Sequence, residues 1–176
     1  MDKEIILFGD LKGTKYFLEN NMRSELEARL LIIHEALFEC VEEYSNRSAN
    51  FEAFTFSDSI LVRWKDSLEG VRKCIPFSKK LWNKISDLPY RLFIETGDSI
   101  NETTPIFQQI IRNERYITIT PVSYAFWSVC IAEASHFPEG VFLGKKLWTI
   151  TEEKLSNDVF TAEHFIYRKI IFDTGN

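Results

Sequence analysis

Apolar residues in this chain fall into short continuous runs and three-or-four-residue spacings, and the alternation between the two predicts an order of elements. Ile5 to Phe8 is an unbroken apolar run ending in Gly9-Asp10, which predicts a buried strand, a turn and then a helix. From Ser24 to about Tyr44, the residues Leu26, Leu30, Ile33, Leu37 and Val41 recur at helical spacing, with Ser24 and Glu27 placed as a capping box. Asn46 to Asn50 is polar and turn-like. Phe51 to Trp64 is aromatic and β-branched, broken only by Ser57-Asp58-Ser59, and predicts two strands in a tight hairpin with Asp58 at its tip. Leu68 to Leu88 returns to helical spacing through Val71, Ile75, Leu81 and Ile85, and Pro76 is expected to disturb that helix or mark its restart. Tyr90 to Thr96 predicts a strand ending at Gly97.

Strand, helix, strand, strand, helix, strand is the split β-α-β order of a ferredoxin-like core, so the expected class is α+β with a βαββαβ core. Further helices and strands should follow it. Asn101 to Thr104 is loop-like, Ile106 to Ile111 predicts a short helix, and Tyr116 to Thr120 alternates like an exposed strand. Pro121 suits the first turn of a helix running through Ala125, Val129 and Ala132. Val141 to Leu143, Val159 to Thr161 and Phe165 to Phe172 predict strands, with a short helix near Thr151 to Leu155. No repeat, low-complexity tract or linker interrupts the chain, and a single domain over residues 1–176 is expected.

Composition narrows the function classes. With 176 residues, 45% of them hydrophobic, the chain can bury one sizeable core. A net charge of −5 argues against a nucleic-acid footprint or a polybasic membrane surface. No apolar stretch approaches the roughly 20 residues of a membrane span, and the start through Asp2, Lys3 and Glu4 lacks a signal-like apolar region. A cytoplasmic protein is expected. Cys40, Cys74 and Cys130 are far apart in apolar, helix-like contexts and read as buried, reduced thiols.

The chemistry concentrates in Asp10 and Asp58, each beside an apolar run. A carboxylate next to low-dielectric core is costly unless something positive compensates it. Either aspartate alone would read as a turn or cap residue. In the expected topology, however, the first and third strands are neighbours, so the two carboxylates meet. Two Mg²⁺ or Mn²⁺ ions would relieve their repulsion while binding a triphosphate. Gly13 and Thr14 would open the next helix, with backbone N–H groups suited to phosphate oxygens.

Phe8-Gly9-Asp10-Leu11-Lys12-Gly13-Thr14 resembles the first metal motif of class III nucleotide cyclase catalytic domains, and Phe56-Ser57-Asp58-Ser59 resembles the second, on a hairpin 48 residues further on. Arg91 to Gly97 is similar to the family's next strand, and Tyr116 to Glu133 to the segment entering its transition-state helix. The resemblance implies that Asp10 and Asp58 are ligands of both metals, the Leu11 carbonyl is a backbone ligand, and Lys12, Gly13 and Thr14 adjoin the nucleotide. It also implies a head-to-tail homodimer, and attack of a nucleoside triphosphate's 3′-hydroxyl on its own α-phosphorus with loss of pyrophosphate. The family's transition-state Asn and Arg fall on Ser123 and Trp127, or on Tyr124 and Ser128 in the register one residue later, and neither register supplies a cation. The base-reading position falls on Phe54, with Glu52 and Thr55 as polar neighbours. These departures leave a second reading open, a catalytically inactive homologue that binds a nucleotide or a partner.

Other signals carry less. Asp10-Leu11-Lys12-Gly13-Thr14 is also similar to the haloacid dehalogenase signature, but Lys12 stands at the acid/base position and the hairpin does not suit that parallel sheet. Arg91, Lys145, Lys146, Arg168 and Lys169 are expected to be solvated surface residues. His34, His136 and His164 are isolated. Trp64, Trp82, Trp127 and Trp148 read as core or interface anchors, with Trp127 the one at a functional position.

Overall fold

A computed structural model describes residues 3–45, 51–64, 67–98, 105–111, 114–119 and 123–172. Strand β1 (Lys3–Leu11) leads through a short helix α1 (Thr14–Glu19) into the long α2 (Arg23–Ser45). The hairpin β2 (Phe51–Phe56) and β3 (Ser59–Trp64), helix α3 (Ser67–Ile85) and β4 (Tyr90–Asp98) follow and complete the βαββαβ core. Beyond it come β5 (Pro105–Ile111), β6 (Glu114–Ile119), α4 (Tyr124–Glu133) and β7 (Gly140–Gly144). A 3₁₀ turn (Lys145–Ile150), β8 (Lys154–Ala162) and β9 (Phe165–Ile171) end the described chain.

The main sheet has the order β2-β3-β1-β4-β7-β9-β8, and β5 and β6 pair as a separate ribbon. β1 lies antiparallel between β3 and β4, with Asp10 opposite Ser59 on one side and Arg91 on the other. Because side chains alternate along a strand, the central strands have two distinct faces. Ile5, Leu7, Leu11, Ile60, Val62, Trp64, Tyr90, Leu92 and Ile94 join the core beneath α2 and α3. Ile6, Phe8, Leu61 and Phe93 join the core beneath α4, whose inward residues Ala125, Ser128, Val129 and Ala132 are small enough to let the helix lie close.

Several elements differ from expectation. Ile106 to Ile111 belongs to strand β5, paired with β6 through Gln108↔Ile117 and Ile111↔Glu114. A helix that short gains little from its own hydrogen bonds, and β-branched residues beside a partner strand favour pairing. The short helix expected near Thr151 to Leu155 is absent there, and a 3₁₀ turn lies earlier, at Lys145–Ile150. The Thr151 hydroxyl accepts from Glu153 N at 3.0 Å, a local turn that delivers Lys154 into β8 without a helix. α2 begins at Arg23 rather than being capped by Ser24, with Leu26 N donating to Met22 O at 3.2 Å. Pro76 sits inside a continuous α3 on its exposed side. Asn46–Asn50, Asn101–Thr104 and Pro121 lie outside the described residues.

Cys40 and Cys74 are buried and Cys130 half-buried, all as free thiols. Burial pushes Cys40 up to about 11 and Cys74 up to about 12, which keeps both unreactive at neutral pH. No helix among the described residues is long and apolar enough to cross a membrane.

Candidate functional site

β1 ends at Asp10 and Leu11, and Gly13 turns the chain with φ of +87°, a value most side chains resist. Across the sheet, the two-residue turn Ser57-Asp58 places Asp58 one residue before Ser59, the cross-strand partner of Asp10. The two aspartates therefore stand at one end of the sheet. Asp58 accepts a hydrogen bond from the Thr14 hydroxyl, which also reaches Leu11 O at 3.3 Å. The Tyr90 hydroxyl donates to the Asp58 backbone carbonyl at 3.0 Å. Its ring crosses the site because Gly9 has no side chain: a Cβ there would lie 2.6 Å from both Tyr90 and Leu92.

Asp10 is held by two neighbours. Ser59 Oγ donates to Oδ1 at 3.1 Å, and Arg91 Nη2 donates to Oδ2 at 3.1 Å. The same Nη2 lies 3.2 Å from Glu133 Oε1 at the end of α4, and Arg91 Nη1 donates to Ser135 O at 3.0 Å. Arg91, expected at the surface, is instead 7% exposed. Even with this guanidinium beside it, Asp10 is pushed up to about 6, by burial first and then by the charges of Glu133 and Asp58. One arginine does not balance the three carboxylates.

That imbalance is the test of fit for a divalent metal. The donors on hand are carboxylate oxygens and a backbone carbonyl, the set that Mg²⁺ and Mn²⁺ prefer. Among the described residues no group of three or more acidic, histidine or cysteine side chains is arranged to hold a metal unaided.

The remaining expected residues stand apart. Ser123 caps α4, its hydroxyl accepting from Phe126 N at 3.1 Å. Trp127 is 48% exposed and packs among Tyr124, His164 and Phe165, with ring centroids 5.3–5.9 Å away. In the alternative register, Ser128 is buried and donates to Ala125 O at 2.8 Å. None of them brings a cation to Asp10 or Asp58. Phe54 sits on the edge strand β2, against the core beneath α4. Lys12 is half-buried, its backbone N–H donating to Pro89 O at 2.8 Å. Lys145 and Lys146 are exposed as expected, whereas Arg168 is half-buried with its guanidinium 4.4 Å from the Trp148 ring.

Sequence reasoning missed Glu133 and Tyr90, gave Ser59 no role beyond its place in the second motif, and put Arg91 at the surface. One signal was present for Arg91: it shares strand parity with Phe93 and Glu95, so a buried Phe93 places Arg91 on the same covered face.

This arrangement defines a paired-carboxylate site at the end of a ferredoxin-like sheet. Solved structures extend the description. The guanylyl cyclase domain of the RhoGC fusion protein from the aquatic fungus Blastocladiella emersonii, in a monomeric form, superposes with a TM-score of 0.61 at 6% identity, over 97% of this chain and 94% of that one. A dimeric form of that domain gives 0.60 at 8% identity, over 97% and 94%. Adenylate cyclases of Trypanosoma brucei in their monomeric state give 0.63 at 9% identity, over 96% and 90%. The chain thus has the catalytic-domain fold of guanylyl and adenylyl cyclases, the fold that the two aspartate motifs had led us to expect. No protein-family model matches the sequence, and no curated protein matches it.

Proposed function

We propose that this chain is a divergent nucleotide cyclase that converts a nucleoside triphosphate into a cyclic nucleotide and pyrophosphate. The observation that carries this reading is the pair Asp10 and Asp58 at one end of the sheet, which with Glu133 outnumbers the single arginine beside it. Asp10, Asp58 and the Leu11 carbonyl would hold two Mg²⁺ or Mn²⁺ ions. When bound, such ions would lower the pKa of the ribose 3′-hydroxyl and neutralise charge on the phosphates.

The chain's own residues do the rest. Backbone N–H groups of Gly13 and Thr14, at the uncapped start of α1, would receive the phosphates. Arg91, held 3.2 Å from Glu133, supplies a cation to whatever oxygen lies beside Asp10. A bond forms between O3′ and the α-phosphorus, the bond to pyrophosphate breaks, and the hydroxyl proton passes to solvent. A second copy of the chain is part of this reading, since neither Ser123 and Trp127 nor Tyr124 and Ser128, the two registers that match the family's transition-state positions, serves this chain's own carboxylates.

The test is incubation of the pure protein with each of the four nucleoside triphosphates and Mn²⁺, with mass spectrometry of products beside an Asp58→Ala control. A cyclic or linked nucleotide that disappears in the control is the expected result, and no product from any triphosphate would refute it.

A second reading rests on Ser123 and Trp127 themselves. The serine hydroxyl is committed to capping α4, and the tryptophan to an aromatic cluster. A binding module that kept the acidic pair and lost turnover would bind metal and nucleotide saturably in calorimetry while yielding no product.

A further inference from the structure

We propose that the groove between α2 and the outer edge of β2 is a docking site for an extended, lysine- or arginine-bearing segment of a partner protein, which adds a strand to the main sheet. The groove has a volume of about 750 Å³ and is lined from the helix by Leu37, Phe38 and Val41 and from the strand by Ala53, Phe54 and Thr55. Three consecutive strand residues point alternately to opposite faces. A cavity touching all three therefore runs along the strand's edge rather than over one face. β2 is the terminal strand of the sheet, and among the described residues no strand pairs with its outer side. Such an edge offers unpaired backbone donors and acceptors to any extended chain laid beside it.

The helix wall sets the chemistry of the occupant. Phe38 is 62% exposed, an apolar ring left in water at the groove's rim. Glu35, Glu39 and Glu42 line the same groove, and α2 carries no Lys or Arg from Leu30 to Ser45. Glu39 is tied to Lys84 of α3, whereas Glu35 is exposed and has no ion-pair partner among the described residues. Glu35 and Phe38 stand about one helical turn apart, a carboxylate beside an apolar ring. A strand with a cationic residue beside an apolar one complements that pair, while a nucleotide or an acidic peptide is repelled by the acidic wall.

The groove also touches the hairpin that carries Asp58. His34 Nε2 donates to the Ser57 carbonyl at 3.1 Å, so an added strand would brace the turn next to that aspartate. Phe54, at the position matching the family's base reader, lines the groove, but Glu35 and Phe38 lie outside that position and outside the Asp10 cluster, and the proposal stands whether or not the chain turns over a nucleotide.

The experiment is an NMR titration of the full ¹⁵N-labelled chain with a seven-residue peptide alternating Lys and Val, beside a peptide of equal charge with Pro in place of Val. The expected result is shifts centred on residues 34–42 and 53–55 and slower amide exchange along β2. Affinity should fall about tenfold for the proline peptide, which cannot pair its backbone, and by a similar factor in Phe38→Ser and in Glu35→Lys. Both variants change exposed residues, and circular dichroism will verify that they fold. Equal affinity for the two peptides, indifference to both substitutions, shifts elsewhere or no binding at millimolar peptide would each overturn the proposal.

Discussion

Beneath α2 and α3, the strands β1, β3 and β4 present Ile5, Leu7, Ile60, Val62, Trp64, Leu92 and Ile94, a face of largely apolar side chains. The intervening positions of the same strands, beneath α4, hold Glu4, Asp10, Ser59, Arg63, Arg91 and Glu95 beside Phe8 and Phe93. One backbone thus carries two different materials on its two sides, and stability and chemistry are divided between them. Polarity on this face is confined to the Tyr90 and Thr96 hydroxyls, which donate to the Asp58 and Glu4 carbonyls, and to the indole N–H of Trp64; a buried polar group costs more when unpaired than a methyl group contributes. The α4 face carries buried charges that must be satisfied one by one. Arg63 lies between Glu4, which is wholly buried, and Glu52, whose Oε2 is 3.3 Å from Nη1. Arg91 joins Asp10 to Glu133.

The contrast can be broken most forcefully at Arg63. Arg63→Met leaves Glu4 buried without its cation and should cost about 3–5 kcal/mol in urea unfolding. Val62→Ala, its neighbour on the apolar face, should cost less, about 1–3 kcal/mol. If the apolar change proves the more damaging, the α4 face is not held by its charges.

Glu95 offers the next largest effect, and it depends on pH. Burial pushes this carboxyl from its ordinary 4.5 up to about 7. The folded state then binds a proton that the unfolded chain releases, so the contribution is fully present below about pH 4.5 and is lost as pH rises through about 7. At about 1.4 kcal/mol for each tenfold change, neutral pH forfeits about 3 kcal/mol at most. Glu95→Gln should flatten that slope in melts recorded from pH 4.5 to 8, and no equivalent slope should arise from the apolar face.

Gly9→Ala sharpens the comparison at the boundary between the faces. Its Cβ would meet Tyr90 and Leu92 at 2.6 Å and Ile60 at 2.9 Å, an overpacking worth about 1–3 kcal/mol. Chemical-shift changes should extend to Asp58, whose carbonyl the Tyr90 hydroxyl holds. The smallest effect has the opposite sign. Asp10→Asn removes a carboxylate pushed up to about 6 and should stabilise the protein at pH 7, by about 1 kcal/mol after allowing for solvent screening, while abolishing metal binding in calorimetry. Equal or lower stability in thermal melts would show that Asp10 is already compensated.

The apolar face was legible in the sequence because its signal is periodic. The run Ile5 to Phe8, the hairpin from Phe51 to Trp64 and the spacing through Leu37 and Leu81 led directly to the core topology and to the meeting of β1 with β3. The α4 face was legible only in part. Asp10 and Asp58 could be placed together because each interrupts an apolar pattern at a strand end. Arg91 could not, because an arginine is ordinarily solvated and its burial depends on Glu133, 42 residues further along the chain. Glu133 lies on α4, a helix whose docking against β1 and β4 is a tertiary event that no local spacing announces. The ribbon of β5 and β6 was hidden for a similar reason, since its segment takes strand form only beside its partner.

Gly9 has a consequence for how such a site can change over generations. The ring of Tyr90 occupies the space that a side chain at position 9 would need, and its hydroxyl anchors the loop bearing Asp58. Gly9 and Tyr90 are therefore constrained as a pair, and Asp10 stands outside that constraint. A descendant could exchange Asp10 in a single step and gain stability, yet it could fill position 9 only by remodelling Tyr90 at the same time. In a drifting descendant, the glycine and the tyrosine would outlast the aspartate, leaving the cradle of the site as its most durable trace.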